Sequence, residues 1–221
     1  MNQCAKSLLH CYAACIHRGP YPSKSSVTLR TNQKRLLMSS QLAADLIRSR
    51  RTIHSFARES PPRELILRAI DLARWAPNHR LTAPWRFYLL GPATADAICR
   101  LNAELTSQAK GAQAGQAKLR RWREIPGWLV LNCINSHDPI RAREDYGACC
   151  CALQNMYLYL WSEGIGCKWT TGAITRASGF FDLISVNPAL ETVVALVWFG
   201  YPAEIPSTNR KPALETIIEL P

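Results

Sequence analysis

The run Thr192–Tyr201, Thr-Val-Val-Ala-Leu-Val-Trp-Phe-Gly-Tyr, constrains the fold of this 221-residue chain more than any other segment. It is far shorter than the roughly 18–20 apolar residues that span a bilayer as a helix. It is β-branched and aromatic and shows no polar alternation, so it reads as a central strand buried on both faces. Trp128–Ile134 reads as a second strand, and Trp85–Leu90 and Cys167–Thr170 as shorter ones.

Helical patterns fall between these runs. Ser40 caps a helix that carries Leu42, Leu46 and Ile47 and ends near Arg50. Pro61-Pro62 opens another, with Leu65, Ile66, Ala69, Ile70 and Ala73 at helical spacing and a stop at Pro77. Helices are also expected over 93–108 and around Thr175–Ile184. The longest, Glu144–Glu163, has Leu153, Met156, Tyr157 and Leu160 as its apolar stripe and Gly164 as its cap. Residues 109–127 are polar, basic and glycine-containing, which predicts a mobile, partly helical segment. Helices and strands mix without strict alternation, so the fold class is α+β. The length suits one sizeable domain.

The first 37 residues read unlike the rest. They hold Lys6, Arg18, Lys24, Arg30, Lys34 and Arg35 and no acid, and Gly-Pro-Tyr-Pro at 19–22 breaks any helix. A targeting peptide, a disordered basic tail, or translation beginning at Met38 all fit that composition. The domain is therefore taken as 38–221 and the basic extension as 1–37. Without those six cations the net charge of +11 falls to +5. That balance suits an enzyme attracting phosphorylated ligands better than a nucleic-acid-binding module. No segment points to a membrane.

Nine cysteines include no CxxC pair, and Cys149, Cys150 and Cys151 are consecutive on a helix. Successive helical side chains diverge by about 100°, so the three cannot converge on one metal. No metal ligand set is assigned. Small buried thiols fit a reducing compartment, and a cytoplasmic protein follows.

The chemistry-bearing residues are scattered. Arg50-Arg51-Thr52-Ile53-His54 sets two guanidiniums beside a hydroxyl, which makes a phosphate clamp. Alone, the pair would complement the dipole of a helix C-terminus. Gly166-Cys-Lys-Trp-Thr-Thr-Gly172 follows an aromatic with two hydroxyls and a glycine, which lets backbone approach a flat ligand. Ala-Pro-Asn-His at 76–79 adds His79. There is no GxGxxG, Walker loop, HExxH or GxSxG, so the common dehydrogenase, NTPase, metalloprotease and hydrolase patterns are absent.

Taken in order, these pieces resemble the FMN-dependent nitroreductase family. The match runs from 50–54 through Ala-Arg-Trp-Ala-Pro at 73–77, Pro-Trp-Arg-Phe at 84–87 and Glu-Asp-Tyr-Gly-Ala at 144–148. It continues with 164–172 and Arg-Lys-Pro at 210–212. The resemblance implies a three-layer α+β sandwich with a mostly antiparallel sheet flanked by helices. It also implies an intertwined homodimer with FMN at its interface. NADH or NADPH would donate hydride to the flavin and leave, and a nitroaromatic or quinone would accept it in turn, a ping-pong cycle. By the same resemblance, Arg50, Arg51 and Thr52 hold the phosphate and ribityl end and Arg210 closes on the phosphate. Trp169, Thr170, Thr171 and Gly172 line the ring, with His54, His79 and Lys168 nearby. Three positions depart from the family: Thr52 for Ser, Ala83 for Gln, and His54 for Arg or Lys. The last exchanges a permanent charge for one mostly lost at neutral pH. A flavin-binding carrier or regulatory protein without efficient turnover is the alternative.

Overall fold

The computed structural model describes residues 40–220; the 1–37 extension and Met38 lie outside the described residues. The chain divides into two units, Met1–Ala44 and Asp45–Pro221. Of the first, only Ser40–Ala44 is described, as the opening turn of helix α1 (Ser40–Ser49).

The larger unit is built on one sheet. Strands β1 (Trp85–Leu89), β2 (Gly127–Ile134), β3 (Gly166–Thr170) and β4 (Glu191–Gly200) lie in the order β1-β2-β4-β3, and every pairing is antiparallel. The two central strands are β2 and β4, the two longest apolar runs, and Leu131 faces Ala195 while Trp128 faces Trp198. Their residues alternate between two cores, as a strand's two-residue period demands. Leu129, Leu131, Val197 and Phe199 face one side, against helices α2 (Arg63–Ala73) and α5 (Pro139–Ser162). Trp128, Val130, Leu196 and Trp198 face the other. There they meet α3 (Pro92–Lys110), α4 (Ala112–Arg123) and α6 (Ser178–Ile184). The result is the expected three-layer α+β sandwich.

Three local expectations need correction. Residues 109–127 are not a mobile linker: α3 runs on to Lys110 and α4 follows almost at once. The two are separated by Gly111 at φ +87°, a conformation that glycine adopts without strain. Alanine and glutamine sustain the helix, and Trp122 is buried while charges cover its other face. Helix α5 starts at Pro139 rather than Glu144, because Asp138 caps it by accepting from the Ile140 N–H at 2.9 Å. The expected helix at 175–184 is broken at Ala177 (φ −75°, ψ 136°), which separates a short 3₁₀ turn, Ala173–Arg176, from α6.

After β4 no further strand follows among the described residues, and the one regular element is a 3₁₀ turn at Ala213–Thr216. Leu214, Ile218 and Leu220 are more than four-fifths exposed, so this apolar tail finds no cover among the described residues. No helix among the described residues is long and apolar enough to cross a membrane.

Candidate functional site

Helix α1 ends where the first motif begins. The Arg50 N–H closes the last turn on the Leu46 carbonyl. Arg51 Nη1 then donates to the carbonyls of Arg48 (2.5 Å) and Arg50 (2.9 Å). One amino group of Arg51 therefore does what a helix C-terminus needs, satisfying carbonyls left without intrahelical partners. From there the chain runs parallel to the free edge of β3. Thr52 pairs with Cys167, and the Ile53 N–H donates to the Cys167 carbonyl at 3.1 Å. Ile53 is fully buried, which leaves Thr52 and His54 on the exposed side.

This path carries the motif into a cavity of about 370 Å³ lined by Arg48, Arg50, Arg51 and Arg210, together with Gln154 and Thr208. Arg50, Arg51 and Arg210, expected to act together, are thus brought together. Arg48, Gln154 and Thr208 were not foreseen. No carboxylate lines the cavity, and four guanidiniums around one void are the donor set for a phosphate. A second cavity of about 360 Å³, bounded by Arg63, Leu89, Cys99, Trp122 and Phe199, contains none of the motif residues.

The segment expected to line the ring leaves β3 at Thr170. Trp169 is 38% exposed, and its Nε1 donates to the Val194 carbonyl at 2.9 Å, fixing the indole against β4. Thr171 and Gly172 are exposed and anchored from behind. The Thr175 hydroxyl donates to the Gly172 carbonyl (3.0 Å), and Arg176 Nη1 to that of Thr171 (3.0 Å). Thr170 is half-buried.

Lys168 and His54 meet. Lys168 Nζ lies 3.1 Å from His54 Nδ1 and 4.5 Å from the centroid of the Trp198 ring. An ammonium has only donors, so Nδ1 accepts and the neutral imidazole carries its proton on Nε2. Lys168 thus sets its positive charge directly beside position 54. Burial, then Lys168 and then Arg121, push the His54 pKa below its ordinary 6.5. The unfolded chain therefore takes up a proton that the folded chain resists. This contribution to stability is complete above about pH 6.5 and is lost as the pH falls below it. The difference in thermal midpoint between the wild type and His54→Gln should accordingly drift against the wild type from pH 7 to pH 5. A constant difference would remove the Lys168–His54 coupling.

His79 stands apart. It begins an exposed 3₁₀ turn, His79–Leu81, between α2 and β1, and no hydrogen bond or ion pair among the described residues joins it to the Arg50 cluster. The turn is strained: Arg80, Leu81 and Ala83 have φ of +53°, +53° and +46°. A polar network holds it. Asn78 Oδ1 accepts from the Ala83 N–H (2.6 Å), Asn78 Nδ2 donates to Thr82 (2.8 Å), and Thr82 donates to the buried Asp145 (2.5 Å). Cys149, Cys150 and Cys151 fan out from buried to exposed, and all six described cysteines are free. Among the described residues no group of three or more His, Cys, Asp or Glu could hold a metal ion.

The sequence pattern of the nitroreductase family matches residues 47–201. The Bacillus subtilis protein YfhC, which carries an NAD(P)H nitroreductase name, is 31% identical over 172 residues, covering 76% of this chain and 88% of its own. The crystal structure of a nitroreductase-like family protein from Bacillus cereus superposes with a TM-score of 0.71. It is 23% identical and covers 91% of this chain and 99% of its own. The FMN-dependent nitroreductase NfnB of Mycobacterium smegmatis, solved with NADPH, gives 0.66 at 18% identity, covering 82% and 99%.

Proposed function

Since the chain belongs to the nitroreductase family, we propose that it is an FMN-dependent oxidoreductase that draws electrons from NADH or NADPH and delivers them to a small electron-poor acceptor such as a nitroaromatic or a quinone. The observation that carries this reading is the cavity shared by Arg48, Arg50, Arg51 and Arg210, with the Trp169–Gly172 segment following the same sheet edge. Basic forks suit the terminal phosphate of FMN, and the Thr52 hydroxyl suits its ribityl chain. The exposed backbone of Thr171 and Gly172 suits a flat ring.

When bound, FMN would supply two-electron redox chemistry between the nicotinamide donor and the acceptor. The chain's own residues bind and orient. Arg50 and Arg210 anchor the phosphate, Thr170 to Gly172 border the ring, and Lys168 holds a positive field beside it that stabilises added negative charge. The apolar tail from Leu214 to Leu220 supports a homodimer in which each tail lies on the other subunit. His79, exposed on its strained turn, is assigned to the flavin or substrate pocket. Six free thiols suit a cytoplasmic setting.

The test is the visible spectrum of the purified full chain, before and after NAD(P)H under anaerobic conditions. Flavin bands that bleach are expected. A bound flavin that neither donor reduces would make the protein a carrier. A colourless chain that takes up no FMN would end the reading.

A further inference from the structure

Helix α4 bears Lys118, Arg120, Arg121 and Arg123. Arg123 is occupied, its Nε 2.8 Å from Asp96. Lys118 and Arg121 are engaged differently. Lys118 Nζ lies 5.9 Å from the centroid of the Trp122 ring, Lys168 Nζ lies 4.5 Å from that of Trp198, and the two indoles meet edge to face at 5.1 Å. His54 then contacts Lys168. Two lysines from different elements thus share one aromatic floor, and His54 flanks them.

The surroundings of these groups are all of one sign. Besides burial, which acts first in each case, Lys168 feels Arg121 and Lys118, Lys118 feels Arg121 and Lys110, and His54 feels Lys168 and Arg121. Among the described residues no carboxylate pairs with Lys118, Arg121 or Lys168. Like charges gathered over a desolvating surface repel one another, which offsets what the two cation–π contacts contribute. The arrangement becomes favourable when a compact polyanion sits on it. The patch shares no residue with the cavity of Arg50, Arg51 and Arg210, so it is not the cofactor's phosphate site. Through Lys168 it adjoins Trp169–Gly172 along β3, the segment that borders the ring in the function proposed above, so a donor seated there can extend its adenosine end toward α4.

We propose that Lys118 and Arg121 of α4 recognise the 2′-phosphate that distinguishes NADPH from NADH. A 2′-phosphate is a terminal monoester carrying nearly two charges, and it matches a patch of unpaired cations. The pyrophosphate is common to both donors and would give no preference. The assignment rests on the flavin-dependent function proposed above and names its electron donor as NADPH.

The experiment compares kcat/KM for NADPH and NADH in the FMN-loaded full chain, with a soluble quinone as acceptor. The wild type should favour NADPH by tenfold or more. In Lys118→Ala/Arg121→Ala the NADPH value should fall at least tenfold and the NADH value less than threefold, with flavin content and thermal midpoint recorded alongside. Adenosine 2′,5′-bisphosphate should inhibit the wild type at least tenfold more tightly than 5′-AMP, a comparison that needs no variant. Equal use of the two donors, equal losses in the variant, or equal inhibition by the two nucleotides would overturn the assignment and leave the flavin chemistry standing. A chain that binds no FMN, or whose flavin neither donor reduces, would bring down both.

Discussion

Replacing Arg50 and Arg210 together by alanine should yield a colourless protein that is folded and no longer retains FMN. Both guanidiniums line the same cavity, which contains no carboxylate to neutralise them. A hydrogen bond between charged partners is worth about 1.5–3 kcal/mol. Losing two weakens FMN binding by about 3–6 kcal/mol, or roughly two to four orders of magnitude in Kd. The apo fold should not suffer, since the substitution thins a cluster of like charges. Arg51→Ala should behave in the opposite way. Its Nη1 serves the carbonyls of Arg48 and Arg50, so its loss should cost about 0.5–1 kcal/mol of stability even without cofactor. FMN titration and thermal melting of the two proteins separate the roles. Tight FMN binding by the double variant would move the phosphate site elsewhere.

The framework was readable because its signals are local and repeated. β2 and β4 announce themselves as unbroken apolar runs, and burial on both faces follows directly from that pattern. α4 was missed because its inward face shows only Leu119 and Trp122 amid alanine, glutamine and arginine, too thin a stripe to register as amphipathic. The early start of α5 was written in Asp138-Pro139, a cap followed by proline, but the apolar stripe drew attention further along. In the site, Arg50 and Arg210 could be paired only through a resemblance spanning the chain. Arg48, Gln154 and Thr208 join them from three separate segments and carry no spacing that ties them to one another. The contact between Lys168 and His54 exists because the 50–54 segment adds itself in parallel to β3, a tertiary pairing that neither motif encodes.

That pairing is the most exposed point of the design, and Gly166→Ala should break it. A methyl group at Gly166 would lie 2.3 Å from Ile53 Cγ1 and 3.0 Å from its Cβ, with Pro202 Cγ at 3.1 Å. Ile53 is fully buried and β-branched, and the contact falls next to its backbone, so rotating the side chain does not relieve it. The 50–54 segment must lift from β3. Overpacking of this kind costs about 1–3 kcal/mol, and the Ile53 to Cys167 hydrogen bond adds about 1 more. A loss of about 3 kcal/mol is therefore expected by denaturant titration, with weakened FMN retention, because Arg50 and Thr52 move with the segment. The backbone at Gly166 does not need a positive φ, so the requirement is for space alone. Ile53→Ala by itself opens a void worth about 2–5 kcal/mol. In the double variant each change compensates part of the other, so the combined loss should fall short of the sum by about 1–3 kcal/mol, and FMN retention should partly recover. Strict additivity would instead locate the defect in β3 itself, and the glycine would not be what makes room for the 50–54 segment.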